Sequence, residues 1–145
     1  MVIILISTLW IIEKKDHQQL DLAIAESSVT TELYEQMNTI YEIILFYKDD
    51  EIPEEIKELW IRSLRITEDF YGTTLGAVDI LHENQRANQA FEIIRGFTET
   101  FARESLTQED YDVMNSYIAQ IEDIVELTDK NVNAIESKVN NYWWK

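Results

Sequence analysis

The sequence predicts an all-α protein, an up-down-up-down antiparallel four-helix bundle with long first and last helices. Three observations predict this fold. The 145 residues, enough for one domain, include only 3 glycines and 1 proline, too few for the turns of an all-β protein. An apolar seam runs without a break along the last quarter of the chain. Loop-like residues at 48–52, 82–85 and 105–107 divide the chain into four helical stretches.

The fourth helix is predicted from residue 107 to residue 145. Thr107 is placed to cap its N-terminus, and Asp110 lies in the first turn, where a negative charge is favoured. Its seam alternates spacings of three and four through Tyr111, Met114, Ile118, Ile121, Val125, Thr128, Val132, Ile135, Val139 and Tyr142. Such a seam predicts long partner helices that run nearly parallel to it.

The first helix is predicted over residues 13–47, where no residue breaks a helix. Its apolar stripe comprises Leu22, Val29, Leu33, Ile40 and Ile43, widened by Tyr34, Met37, Tyr41 and Ile44. We expect the apolar residues 1–12 to continue straight into this helix. The predicted organisation is therefore an apolar segment, 1–12, followed by a four-helix-bundle domain, 13–145.

The second helix is predicted to begin at Pro53, a favoured first-turn residue, and to reach a turn at 82–85. Gly72 and Gly76 are four residues apart and, within a helix, would let another backbone approach closely. The alternative is that Gly72 caps the helix and ends it. The third helix then runs from Ala87 to Phe101.

Residues 1–12 contain only two polar side chains, Ser7 and Thr8. As a helix they would cover about 18 Å, against the ~30 Å hydrocarbon core of a bilayer. Three interpretations remain open: the outer part of a transmembrane helix, the buried end of a soluble helix, or a short strand.

An up-down-up-down bundle places both chain ends at one pole. That pole carries the apolar segment and a cluster of aromatic residues beside a cation, which is typical of a membrane–water boundary. The predicted membrane-interface residues are Trp10, Tyr142, Trp143, Trp144 and Lys145.

Three stretches together resemble the four-helix-bundle sensor domains of chemoreceptors and sensor histidine kinases. They are VIILISTLWII before the first helix, DILHENQRANQAF at the second turn, and YWWK at the end. The resemblance implies an extracytoplasmic domain at the cell membrane that binds a small molecule or a protein, usually as a homodimer, and signals by a small shift between helices. Members that bind amino acids use arginines on helix one; this chain has none there, so that binding mode does not carry over.

The formal net charge of −16 excludes ordinary nucleic-acid binding, which needs a basic surface. It supports an alternative function, a soluble acidic inhibitor, immunity or anti-defence protein that covers a basic protein surface. A third hypothesis is a structural helical module within a larger assembly.

Catalytic motifs are absent from the sequence, which predicts a protein that is not an enzyme and holds no metal or cofactor. The chain has no cysteine and only two histidines, His17 and His82. Asp79 and His82 resemble half of a di-iron site, but Lys14 stands where the second half would need a carboxylate before His17.

Polar residues near the seams are the candidates for binding a ligand. They are predicted at similar heights in the bundle: Tyr34, Asn38, Arg62, Arg65, Arg95 and Tyr117. Arginines there would either hold an anion through paired hydrogen bonds or be solvated and merely offset neighbouring acids. A second, small-residue layer is predicted at mid-height from Ser27, Ser28, Thr31 and Thr128, which would either loosen the packing or bond to the helix's own carbonyls.

Overall fold

The computed structural model describes residues 2–47, 52–82 and 86–142. It contains four helices: α1 (Val2–Phe46), α2 (Glu54–His82), α3 (Arg86–Phe101) and α4 (Gln108–Asn140). The described ranges contain no strand, and their helix packing is compatible with a four-helix bundle, so the predicted fold class is confirmed. The strand interpretation of the first residues is wrong, because α1 is helical from Val2.

Helices α1 and α4 pack against each other as an antiparallel pair along most of their length. At one end the Tyr41 hydroxyl donates to the carbonyl oxygen of Tyr111, at 3.3 Å. At the other end the Asp16 carboxylate accepts hydrogen bonds from Lys138 and Tyr142. The described beginning of α1 and the described end of α4 therefore share one pole, as the sequence predicts.

The α1 seam differs in its terminal half, nearer the chain ends, from the predicted apolar stripe. Its buried residues are Asp16, Ala23, Glu26, Thr30, Leu33, Met37, Ile40 and Ile44. Leu22, Val29 and Ile43 are only half-buried and lie beside this seam. A strict alternation of three and four, counted back from Leu33, passes through polar positions that an apolar pattern overlooks.

The hydrophobic core occupies the distal half of the bundle, where all four helices contribute to it. Phe97, Phe101 and Ile94 of α3 are fully buried there, together with Leu64 of α2. Helix α2 packs mainly on α3, and α3 packs on α4. Where α1 meets α2, the Gln36 amide bridges the two helices by donating to Ser63 Oγ (3.2 Å) and accepting from Thr67 Oγ1 (2.8 Å).

Helix α2 continues through Gly72 to His82, so the alternative that Gly72 ends the helix is wrong. The residue instead permits close packing on α3, because a Cβ atom at Gly72 would lie 2.8 Å from the Phe91 ring. The packing around Gly76 falls outside the described part of the chain. Helix α4 begins as predicted: Thr107 accepts from the Asp110 amide, and the Asp110 carboxylate accepts from the Thr107 amide in return.

Candidate functional site

The pole where the described chain ends meet is the first candidate site; we define this terminal pole as residues 10–17 of α1 and 138–142 of α4. Asp16 anchors it and is only 4% exposed. Its carboxylate accepts from the Tyr142 hydroxyl and, at 2.9 Å, from Lys138 Nζ. These bonds, the Tyr142 bond first, lower the pKa of Asp16. Burial, followed by the Asp16 hydrogen bond, raises the pKa of Tyr142 to about 12.

Helix α1 presents apolar side chains at this pole. Trp10 is 62% exposed, Ile11 59% and Ile12 41%. Lys14 Nζ lies 5.3 Å from the centre of the Trp10 ring, a cation–π contact. At residues 10–12 the structure therefore contradicts the interpretation of the segment 1–12 as a buried end, and the burial of residues 1–9 lies outside the described part.

Two further observations concern this pole. Trp143, Trp144 and Lys145, which the sequence assigns to a membrane interface, lie outside the described residues. None of the helices in the described ranges has a stretch long and apolar enough to cross a bilayer.

Between this pole and the core, α1 and α4 meet through hydroxyl and carboxylate groups. Ser27 donates to the Asp129 carboxylate, and Thr30 Oγ1 lies 3.2 Å from Thr128 Oγ1. The predicted small-residue layer therefore forms with Ser27 and Thr128, but Thr30 takes the place assigned to Thr31, which is half-buried. Thr30 also donates to α1 carbonyl oxygens at 3.0 Å, so its hydroxyl is satisfied without opening the helix pair.

A buried ion pair that sequence reasoning missed lies in this polar seam, one turn from Thr30 on the side of the terminal pole. Glu26 is 1% exposed and accepts from Arg86 Nε (3.0 Å) and Nη2 (3.2 Å). The signal that could have found it is the position of Glu26 in the seam, since a carboxylate there needs a cation from a facing helix.

The second candidate site is an open groove of about 460 Å³ between α2 and α3. Its lining residues are Arg65, Glu68, Asp69, Arg95, Thr98, Glu99 and Ala102. Arg95 pairs with Glu92 and, at 3.8 Å, with Glu99. Burial, and then the nearby Asp69 charge, raise the pKa of Glu68. The groove therefore mixes both signs of charge, which suits a zwitterion or an anion that displaces a carboxylate.

The six predicted ligand-binding residues do not line one common cavity. Arg65 and Arg95 meet in the α2–α3 groove, and Arg62 joins Arg65 on the neighbouring outer face of α2. The other three lie elsewhere: Tyr34 packs half-buried against the core, Asn38 donates to Glu42 at 3.2 Å, and Tyr117 lies against Gly96. The structure thus brings together the three predicted arginines but not Tyr34, Asn38 and Tyr117.

Among the described residues, no group of three or more histidine, aspartate or glutamate side chains is placed to hold a metal ion. The side chains of Asp79 and His82 lie outside the described part.

Comparison of the chain with protein-family models, with curated proteins and with solved structures finds no significant match. The terminal pole, the polar seam and the α2–α3 groove are the features of the molecule that indicate a function.

Proposed function

We propose that this chain is the ligand-sensing extracytoplasmic domain of a membrane-anchored signal-transduction receptor. The observation that carries the proposal is the terminal pole, where the described ends of α1 and α4 lie side by side. Trp10, Ile11 and Ile12 are exposed on that pole, and such side chains partition to a membrane–water boundary.

The α1–α4 seam is apolar in its distal half and polar in its terminal half. This difference supports signalling along the length of the bundle. The distal half is apolar and closely packed, which holds the bundle together. The terminal half is held by hydrogen bonds, among them the Thr30–Thr128 contact, and buries less apolar surface. The weakest apolar packing between α1 and α4 therefore lies in the half next to the pole, where a small displacement of the two helices would reach the membrane.

Vesicle sedimentation tests the membrane part of the proposal. The full chain should co-sediment with phosphatidylcholine vesicles, and the double variant Trp10→Ser/Ile11→Asn should remain in solution. Ile24→Asn is the matched control, because Ile24 is 48% exposed on α1 but lies outside the terminal pole. Equal binding by all three proteins, or no binding by the unmodified chain, would contradict a membrane-facing pole.

The sensing part is tested at the α2–α3 groove. We expect succinate, as a small dianionic probe, to raise the thermal midpoint of the chain. The double variant Arg65→Ala/Arg95→Ala should lose this effect, whereas Lys130→Ala, which removes an exposed cation of α4, should keep it. Stabilisation that survives in the double variant would place anion binding elsewhere.

The charge of −16 supports a second candidate, an acidic protein that covers a basic protein surface. On the exposed side of α4 the acids outnumber the cations Lys130 and Lys138; the acids are Glu109, Asp112, Glu122, Asp123, Glu126, Asp129 and Glu136. This candidate predicts capture of a basic partner that raised salt releases, together with no vesicle binding.

A further inference from the structure

The outer face of α2 carries a second apolar seam, on the side opposite the buried Leu64. We define the outer α2 seam as three apolar and two hydroxyl residues, Leu59, Ser63, Ile66, Phe70 and Thr73, which follow one another at spacings of four and three. Ser63 lies at the edge of this seam nearest α1, where it accepts from Gln36. Leu59 is 63% exposed, and Ile66 and Phe70 are each 62% exposed. A heptad-spaced stripe of this kind is typical of a helix that packs against another helix.

The charges beside this seam are arranged in one row. Glu55, Arg62 and Asp69 follow one another at intervals of seven residues on the same edge of the seam, and Glu58 and Arg65 lie beside them. Neither Arg62 nor Asp69 forms an ion pair with another residue in the described part of the chain. A helix that packs on the seam should therefore present an acid opposite Arg62 and a cation opposite Asp69.

A second copy of α2, running antiparallel, meets both requirements in one register. When Leu59 lies opposite Phe70 of the second copy, Ile66 lies opposite Ser63 of that copy, so two Ile–Ser layers lie between two Leu–Phe layers. The same register places Arg62 beside Asp69 of the second copy, and two-fold symmetry repeats the pair. In a parallel pairing the Arg62 edge would instead face the edge that carries Thr67, which offers no charge.

We propose that the chain forms a two-fold antiparallel dimer through the outer α2 seam. The seam spans about four helical turns at ~3.6 residues per turn, so the buried area falls below the ~1,600 Å² of a standard interface. The dimer is therefore weak and reversible. It goes beyond the proposed function and is compatible with it only where the two terminal poles bind separate surfaces.

The antiparallel arrangement has a geometric consequence for the terminal poles. The middle of the seam is level with Gln36, which hydrogen-bonds Ser63 and Thr67. From Gln36 to Trp10, α1 covers about 40 Å at ~1.5 Å per residue, so the poles of the paired chains point apart, about 80 Å from each other. A dimer formed through α2 therefore cannot have both of its terminal poles anchored side by side in one membrane. Its two poles could instead bind two separate surfaces that face each other.

Analytical ultracentrifugation of the full chain near 0.15 M salt, where the Debye length is about 8 Å, tests the dimer. We expect a concentration-dependent monomer–dimer equilibrium that Ile66→Asp weakens by roughly tenfold or more, equivalent to ~1.4 kcal/mol. The matched control is Leu127→Asp, which adds the same charge at an apolar residue of α4 that is 51% exposed. A monomer at every concentration, or a dimer that only the control variant disrupts, overturns the proposal.

Charge reversal tests the register. Arg62→Asp alone places two acids at each contact and should weaken the dimer, and Asp69→Arg alone places two cations there. The double variant Arg62→Asp/Asp69→Arg restores opposite charges and should recover the association of the unmodified chain. Association that the double variant does not recover overturns the Arg62–Asp69 pairing.

The absence of cysteine allows a direct test of direction. Mixed under mild oxidation, Leu59→Cys and Phe70→Cys chains should form a cross-linked heterodimer, because the register brings these positions together. Leu59→Cys alone should not cross-link, because its two copies would lie about 16 Å apart along the helix axis at ~1.5 Å per residue. Cross-linking of Leu59→Cys with itself would indicate a parallel dimer and overturn the proposal.

Discussion

The Glu26 carboxylate on α1 holds the first residue of α3, because it accepts two hydrogen bonds from the Arg86 guanidinium. The contact joins elements 60 residues apart in the chain. The contact also marks the level in the bundle at which α3 begins. Beyond this level, towards the terminal pole, α1 and α4 continue as a pair. The start of α3 is thereby fixed against α1 at one height.

Arg86→Ala should destabilise the chain by about 3 kcal/mol, because it leaves a buried carboxylate without its cation. Chemical denaturation followed by circular dichroism measures the change. The double variant Glu26→Leu/Arg86→Leu should lie within about 1 kcal/mol of the unmodified chain or above it, because apolar packing replaces the pair. Equal losses of stability in both variants would show that the loss in Arg86→Ala does not come from an unpaired Glu26 carboxylate.

Replacing the hydroxyls of Thr30 and Thr128 should not destabilise the helix pair. Thr30→Val/Thr128→Val removes both partners of the 3.2 Å contact and substitutes a similar shape, so we expect a change between zero and about 1 kcal/mol of added stability. Denaturation midpoints measure it. A loss greater than about 1 kcal/mol would show that the hydroxyl pair itself stabilises the seam.

The Asp16 contacts should make stability depend on pH in the acid range. The pKa of Asp16 is lowered in the folded chain, so its contribution is present above the ordinary pKa of about 3.9 and is lost as pH falls further. Asp16→Asn should melt a few degrees lower than the unmodified chain at neutral pH, and the difference should shrink below about pH 4. Thermal melts across this range measure it, and a constant difference would contradict the ionised contact.

The Tyr142 hydroxyl should make stability depend on pH in the alkaline range. Its pKa is raised to about 12, so its neutral hydroxyl stabilises the fold below pH ~10 and the contribution is lost towards pH 12. Ultraviolet titration should show one tyrosine fewer among the late-ionising groups in Tyr142→Phe. An unchanged late phase would mean that Tyr142 does not donate to Asp16.

Thr107 and Asp110 should set the stability of the α4 N-terminus. Thr107→Ala removes the acceptor for the Asp110 amide and should cost about 1–2 kcal/mol. Thr107→Ser keeps an oxygen at the same position and should cost less than about 0.5 kcal/mol. Amide hydrogen exchange in the first turn of α4 distinguishes the two variants, because only the alanine variant should expose those amides.

The sequence predicted the fold because the α4 seam and the Thr107 cap depend on local spacing. The loop-like composition of residues 82–85 also predicted the break between α2 and α3, and the helix bounds agree with it, since α2 ends at His82 and α3 begins at Arg86. The ligand-site prediction counted heights along helices but could not fix rotation about their axes. Arg65 and Arg95 therefore face a shared groove, whereas Tyr117 packs on Gly96.

By itself, the sequence determined that this protein is a set of four helices with both described ends at one pole, because helix length, caps and breaks are local properties. Only the tertiary structure decided that the α1 seam turns polar below Leu33, that Glu26 meets Arg86, and that Leu59, Ile66 and Phe70 remain outside the core. The physical reason is that burial depends on which face a neighbouring helix covers. That choice is made by contacts between residues far apart in the chain.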